Sequence, residues 1–493
     1  MVQSILVVGG GSAGWITANL LNTYVKRSGR PTKITLVESP EVPIIGVGEA
    51  TVPTIRRTLS VIGLSEQDVL TSADATFKSL IRFKDWNLGE TYDHPFDRRP
   101  RPQTDGAANF WTAQYGKPFD KAFSPLSVLA DENIAPKPLR APQYMGHFPY
   151  AYHLDAVKLA LKLAEFGREN GIAHTFGHVS KVNMSPEGMI ESVDTDKGET
   201  LKADLFVDCT GFKSLLLGET LGVPQRHYGK YLLCDRAVTM QVPYDVWRPA
   251  KILPYTKATA RDYGWQWDIN LQTRRGTGYV YSSAFLSETD AEAALRKYEG
   301  PHSKDIPARH IRYSSSKREV SWKKNCVAIG LSDGFLEPLE SSGLYFIEIA
   351  VQAVGIMLDD YRVAPDATTR HFNGIVNDLY EEILSFINLH YVISNRRDTE
   401  FWRAATAPEA VVDDLKDKIE IWKHRSPNQL DFGGAQRLFA QDSFEFILHG
   451  MNWVNPAPSR PFNPPNLSQI LEKSRKELPD HETFLNLLKP QMK

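Results

Sequence analysis

Cysteine is scarce in this chain: three among 493 residues, Cys209, Cys234 and Cys326, widely spaced and odd in number. Such usage supports neither a disulfide framework nor a zinc site, and it fits a reducing compartment. Long apolar runs are missing too. Nothing approaches the ~18 residues that a membrane span requires. The first residues run straight into a strand-like segment without a basic-then-apolar leader, so a cytoplasmic protein without membrane contact is expected. Charge of one sign is also lacking: 57 basic against 59 acidic residues leave a formal net charge of −2, with no basic block. Nucleic acid is therefore not an expected partner. No internal repeat or low-complexity segment stands out. What is plentiful is aromatic, with ten Trp, nineteen Tyr and 23 Phe, residues that build cores or line pockets for flat substrates. The length allows a large core spread over two to four domain-sized units. A hydrophobic share of 42% and a charged share of 24% describe an ordinary globular protein.

The segment that organises the chain is Gly9-Gly10-Gly11-Ser12-Ala13-Gly14. The apolar run Ile5–Val8 precedes it and the helical-looking Thr17–Leu21 follows, which reads as strand, tight turn and helix. Gly9 permits the turn, Gly11 lets backbone approach a pyrophosphate, and Gly14 lets the helix pack on the strand. The helix then presents its first unpaired N–H groups to phosphate. A second apolar strand, Lys33–Val37, ends at Glu38, suitably placed to accept hydrogen bonds from a ribose. The expectation is a dinucleotide on an α/β, Rossmann-type body.

Further along, Pro43–Pro53 reads as a loop, with Thr51 as N-cap of a helix running through Ile62. A helical pattern is assigned to Phe77, Lys78, Leu80, Ile81 and Phe83. The stretch Asn87–Pro149, rich in Pro, Gly, Asp and aromatics, reads as irregular surface loops. Leu154–Asn170 is an amphipathic helix with Val157, Leu161 and Ala164 on its stripe, stopped by Gly171. Short strands follow around His174–Lys181, Val182–Met184, Met189–Val193 and Leu201–Phe206. Asp208–Phe212 is a second strand-to-glycine turn, and Val327–Gly330 a last buried strand before Leu331–Gly334. Gly343–Leu358 and Phe372–Val392 are strong helical patterns. No strand-like segment appears from Ile393 onward, so the expected division is a body over 1–392 and a mainly helical part of a substrate module over 393–493.

Two stretches are hard to explain by packing alone. In Gly264–Leu271, a strand would project Trp265 and Trp267 from one face as an indole wall. In Phe335–Gly343, the carboxylates Glu337 and Glu340 precede Ser341-Ser342-Gly343 at the start of a helix. Those serines can cap the helix, and the turn's N–H groups can also hold an anion.

Together these features resemble the flavin-dependent halogenases, the family that includes the tryptophan halogenases. The resemblance rests on Gly9–Gly14, the Gly46–Pro53 loop, Ala75–Lys78, Tyr152–Ala156, Asp208–Phe212, Trp265/Trp267 running on to Gly278–Ser282, Glu337–Gly343, His390-Tyr391 and Arg397–Trp402. It implies an enzyme that uses reduced FAD, oxygen and chloride or bromide to form hypohalous acid, which a lysine holds beside an electron-rich aromatic carbon. By motif match that lysine is Lys78. An amine can donate a hydrogen bond to the hypohalous acid or form a haloamine. Glu340 is the matching carboxylate, polarising the halogenating species or accepting the proton of substitution. The resemblance places FAD on Gly9, Gly11, Ser12, Ala13, Gly14 and Glu38, with Gly48, Glu49, Ala50 and Asp333, and halide on the N–H groups of Ser342 and Gly343. It makes Trp265 and Trp267 a wall between substrate and flavin, and His94 and Phe96 a pair that sandwiches the substrate. It further implies a separate flavin reductase. A homodimer remains open.

The chain departs from the family pattern in two places. Asn270 follows Ile269 where the family has proline, which restores an N–H and is expected to loosen the turn. Tryptophan-specific members hold the amino acid with a tyrosine pair and a glutamate, whereas no tyrosine follows Tyr391 here. The corresponding pocket residues are Phe444 and Trp453. The expected substrate is thus an indole, phenol or larger aromatic rather than free tryptophan. A flavin-dependent aromatic monooxygenase and a non-catalytic flavoprotein are the competing readings; neither accounts for Lys78 together with Glu340.

Overall fold

The computed structural model describes residues 2–43, 46, 48–98, 118–432, 438–453 and 466–488. The chain divides into two compact units, each assembled from three stretches: 1–74, 154–227 and 314–380 in the first, and 75–153, 228–313 and 381–493 in the second. Position 392/393 lies inside the second unit.

The first unit is built on a six-stranded sheet ordered Trp322–Lys323, Cys326–Ala328, Leu205–Asp208, Ser4–Val8, Lys33–Glu38, Ala173–Phe176. All neighbours are parallel except the Trp322–Lys323 edge. Central parallel strands are buried on both faces, which is why Ser4–Val8 and Leu205–Asp208 read as continuous apolar runs. One face packs Leu6, Val8, Phe206 and Ala328 against Val179, Ile190, Leu216 and Leu217. Helices Ser12–Arg27, Ala156–Glu169 and Gly343–Val363 pack together, with Trp15 fully buried. Asp155 caps the second of these through the N–H groups of Val157 and Lys158. The buried stripe of that helix is Leu159, Ala160, Leu163, Ala164 and Gly167; Leu161, expected on it, is exposed.

The second unit is built on a seven-stranded sheet ordered Ala308–Arg312, Arg236–Pro243, Arg274–Tyr281, Gly264–Asn270, Tyr255–Arg261, Leu80–Lys84, Thr91–Pro95. Its one parallel pair is Tyr255–Arg261 with Leu80–Lys84. Helix Glu288–Glu299 covers one part through Ala291 and Leu295, against Val238, Met240 and Tyr279. From residue 393 on, the described elements are helical: Glu400–Ala405, Asp413–Trp422, Gln441–Gly450, Leu467–Glu477 and His481–Leu488.

Three expectations are corrected. The helix around Phe77–Phe83 is instead two strands, Thr76–Lys78 and Leu80–Lys84. Residues 76–81 are all buried, so the segment carries no helical or strand period to read, and its aromatic and β-branched members suit a sheet. The region 87–149 is not all loop: it contains strand Thr91–Pro95 and helices Phe119–Phe123 and Pro125–Asp131, while 99–117 lies outside the described residues. Thr51 does not cap the next helix, which runs Ile55–Ile62 from Thr54 without a side-chain cap, because Pro53 falls before it. Among the described residues no helix is long and apolar enough to cross a membrane.

Candidate active site

In the first unit, strand Ser4–Val8 delivers the glycine turn and helix Ser12–Arg27 leaves it. Gly9 has φ of +115°, and a Cβ there would lie 2.2 Å from the Cys209 carbonyl oxygen. A Cβ on Gly14 would lie 1.8 Å from the Gly9 oxygen. These two glycines are steric necessities. Gly11 differs: a Cβ would meet nothing within 4 Å. It occupies the N-cap without a side-chain cap, and the first helical turn carries no acidic residue. A helix start with open space at its cap and no acidic residue in its first turn suits a pyrophosphate, so these residues fit FAD. Ser12 spends its hydroxyl on the Ala156 carbonyl, 3.1 Å away. Ala13 sits close under Gly330, where a Cβ would approach it to 2.8 Å.

Glu38 ends its strand as expected, and its carboxylate reaches back over Gly10, where a Cβ would collide with Oε2. Its Oε1 lies 2.7 Å from His174 Nε2, on the adjacent strand. Burial lowers the His174 pKa, although Glu38 pulls the other way. His174 was not legible as a partner of Glu38, since only strand pairing brings them together. Gly48 takes φ of +88°, and Glu49–Ala50 form a short strand. Burial pushes the Glu49 carboxyl up to about 7. Asp333 is buried and raised to about 6 by desolvation, with Lys317 and Arg318 opposing the rise.

The acidic turn is also in this unit. Glu337 and Glu340 are both buried, and Glu340 closes the 3-10 turn Pro338–Glu340. Ser341 then takes φ of +60°, a left-handed conformation that is uncommon outside glycine. Ser342 is the N-cap of helix Gly343–Val363 but makes no side-chain cap bond, and its buried Oγ has no hydrogen-bond partner among the described residues. A Cβ on Gly343 would meet nothing within 4 Å. Ser342 therefore does not serve as a side-chain cap. A buried left-handed turn thus leads into a helix whose first residue, Gly343, is exposed.

The second unit holds the remaining residues. Lys78 ends strand Thr76–Lys78, which pairs antiparallel with Ala151–Leu154 in the register Lys78↔Ala151. Its side chain is fully buried, and Nζ lies 5.1 Å from the Phe96 ring centroid. Phe96 is held there by its backbone, whose N–H donates to the Ser79 carbonyl at 3.2 Å. His94, two residues earlier, tilts against Phe386 at 5.5 Å and Phe439 at 6.2 Å. Phe444 meets the same Phe386 at 4.8 Å. His94 and Phe444 are thus joined through Phe386, which sequence reasoning missed. Trp453 lies apart from that cluster. After Asn452 in a left-handed conformation, its Nε1 donates to the Ile419 carbonyl at 2.9 Å. It lines a cavity of about 480 Å³ with Asn87, Glu90 and Arg397.

Trp265 and Trp267 do share one strand, fully buried, with ring centroids 6.2 Å apart and tilted by 57°. Both indole nitrogens are buried without a hydrogen-bond partner among the described residues. Gly278, directly opposite Trp267, makes room for that ring: a Cβ would lie 2.2 Å from an indole carbon. Asn270 does not loosen its turn. Its Oδ1 accepts the Leu253 N–H at 3.0 Å and its carbonyl accepts the Thr76 hydroxyl at 2.6 Å, so it ties two segments to the strand end.

A nucleotide-binding parallel sheet, with a second unit carrying a buried lysine among aromatics, defines a flavoenzyme-like architecture. The tryptophan halogenase family model matches residues 4–463, and the chain belongs to that family of flavin-dependent halogenases. Tryptophan 6-halogenase SttH of Streptomyces toxytricini is 38% identical over 93% of this chain and 91% of its own length. Among solved structures, a tryptophan halogenase from Shewanella frigidimarina superposes with a TM-score of 0.90 at 35% identity, covering 99% of this chain and 97% of the other. BrvH, a flavin-dependent halogenase from Brevundimonas sp. BAL3, does so with a TM-score of 0.85 at 35% identity, covering 99% and 100%. Flavin-dependent halogenases use FADH2, halide and oxygen on small aromatic substrates, and a separate reductase supplies the reduced flavin.

Proposed function

We propose that this enzyme halogenates an electron-rich aromatic compound, an indole, phenol or larger ring system, in preference to free tryptophan. The observation that carries the proposal is Lys78, wholly buried with its amine 5.1 Å from the Phe96 ring centroid. A buried amine is costly to desolvate, and such groups cluster where chemistry is done. When bound, reduced FAD supplies, with oxygen and halide, an oxidised halogen as hypohalous acid. The Gly9–Gly14 turn holds the pyrophosphate and Glu38 the ribose, with Gly48, Glu49, Ala50 and Asp333 completing the cofactor site. Ser342 and Gly343 offer N–H groups to the halide, an anion held without a counter-charge and so left nucleophilic. Lys78 donates a hydrogen bond to hypohalous acid, or its neutral amine takes the halogen as the O–halogen bond breaks and water leaves with an amine proton, and presents it to the ring carbon. Glu340 accepts the proton lost in substitution. His94 and Phe96 hold the substrate ring, while Trp265 and Trp267 screen it from flavin. Residues 393–493 supply the helical part of the substrate module.

The substrate preference rests on the absence of tyrosine after Tyr391 and on the apolar neighbours of Phe444, namely Phe386, Phe432 and Trp422. An ammonium and carboxylate find no tyrosine pair in that stretch. The test is a mass-spectrometric screen with FAD, a flavin reductase, NADH, oxygen and chloride or bromide. Free tryptophan, indole and phenols serve as candidates, with Lys78→Ala in parallel. Halogen isotope patterns that need halide and vanish in the variant are expected, with free tryptophan ranking low. Oxygenated products without halogen would move the enzyme to the monooxygenases. Efficient turnover of free tryptophan would overturn the substrate preference alone.

A further inference from the structure

Residues two apart in a strand point their N–H groups to the same edge. Strand Thr76–Lys78 uses the Lys78 edge to pair with Ala151–Leu154. On the other edge, the Ser79 N–H donates to the Pro254 carbonyl at 2.8 Å, leading into the parallel ladder that begins at Leu80↔Tyr255. The next rung back would join the Phe77 N–H to the carbonyl of Ile252. An imidazole stands there instead. The Phe77 N–H donates to His481 Nε2 at 3.2 Å, and His481 Nδ1 lies 2.9 Å from the Ile252 carbonyl oxygen.

The proton positions follow from the partners. A backbone N–H can only donate, so Nε2 offers a lone pair; a carbonyl can only accept, so Nδ1 carries the hydrogen. The ring spans a gap where the two segments have diverged and satisfies a buried group on each side. Burial holds the His481 pKa down at about 4, which keeps the imidazole in this neutral form at neutral pH. The segment bearing it is itself fastened. His481 N–H donates to the Asn133 carbonyl at 2.8 Å and Ala135 N–H to the Pro479 carbonyl at 3.0 Å, while Phe484 packs edge-on against Phe77 at 4.9 Å.

The opposite side of the strand has a matching device. Thr76 donates its one hydroxyl hydrogen to the Asn270 carbonyl, so its oxygen accepts from His153 Nδ1 at 3.3 Å. His153 Nε2 then accepts from Thr256 at 2.8 Å. The two residues preceding Lys78 are therefore each held through a buried, neutral histidine.

We infer that His481 is a positioning residue for Lys78: its imidazole replaces a backbone rung and fixes the strand whose last side chain is the amine. The inference rests on the role proposed for Lys78. Two substitutions separate the imidazole's two bonds. His481→Gln puts an amide oxygen near the place of Nε2 and keeps an acceptor for Phe77. His481→Asn puts an amide nitrogen near the place of Nδ1, keeps the bond to Ile252 and abandons Phe77. The halogenation rate, KM for the aromatic and product formed per oxygen consumed are measured in both, with Lys78→Ala alongside.

The Asn variant is expected to lose about 10–100-fold in kcat, the penalty for a misplaced reacting group. Its KM is expected to stay level, with more oxygen consumed per product. The Gln variant recovers most of that loss. Equal behaviour of the two variants, whether both active or both impaired, overturns the inference. Should the Asn variant fail to fold, amide hydrogen exchange in the unaltered protein reads the same bond. Phe77 is expected to exchange as slowly as Ser79, and exchange at the rate of an unbonded amide overturns the inference. Halogenation surviving in Lys78→Ala would instead defeat the proposed function, whatever the His481 variants do.

Discussion

Glu348 shows how burial sets chemistry at a single residue. It sits on helix Gly343–Val363, accepts the Thr58 hydroxyl at 2.6 Å, and is pushed by desolvation up to about 7. A carboxyl raised on folding stabilises the fold fully below its unfolded value, near 4.5, and that contribution is lost as pH rises through about 7. Glu348→Gln carries no charge at any pH. The unfolding free energy of the variant relative to the parent is therefore expected to rise between pH 5 and pH 8.5, by on the order of 1–3 kcal/mol. Urea unfolding at both pH values checks it; a constant difference would mean that Glu348 titrates normally. His481 runs the other way: with its folded value lowered to about 4, its contribution is present above the unfolded value, near 6.5, and fades as pH falls toward 4. Lys78 and Glu340 are proposed from short motifs, which are local in the sequence. His481 was not legible there, for it meets Phe77 from 404 positions away and no local pattern announces that meeting. His174 beside Glu38 escaped for the same reason.

The strand Gly264–Asn270 was legible as an element, because Trp265 and Trp267 repeat at the period of a sheet. The strands within 76–84 were not, since residues 76–81 are all buried, which erases the alternation that marks a strand. What the pair of indoles requires was also hidden: Gly278, across the ladder, must lack a side chain for Trp267 to lie where it does. Gly278→Ala is expected to displace the ring and cost about 1–3 kcal/mol, as overpacking does. A fall in denaturation midpoint together with a shift in tryptophan emission would report it; an unchanged protein would show that the ring has room to spare. Asn270 sets a second expectation for this element. Restoring the proline of the family would leave the Leu253 N–H without its acceptor, at a cost of about 1–3 kcal/mol. A variant Asn270→Pro at least as stable as the parent would show that the side-chain bond contributes nothing.

At the scale of the whole chain, the α/β class was legible from the glycine turn and from the spacing of Glu38 after it. The helical character beyond residue 393 was legible too. The arrangement into units was not, because each unit is assembled from three separated stretches. Sequence order does not show which separated stretches pack together, and here each unit draws on three of them.

That interleaving has a consequence for how the protein is made. Strand Ser4–Val8 is synthesised well before Leu205–Asp208, with which it pairs and which in turn pairs with Cys326–Ala328. At about 5–20 residues per second of translation, the opening strand waits ~10–60 s for those partners to leave the ribosome. During that wait an apolar strand and the glycine turn behind it are exposed to chaperones and to other nascent chains. No single break in the gene would release either unit intact, so splitting the enzyme into two expressible halves would require exchanging stretches between them.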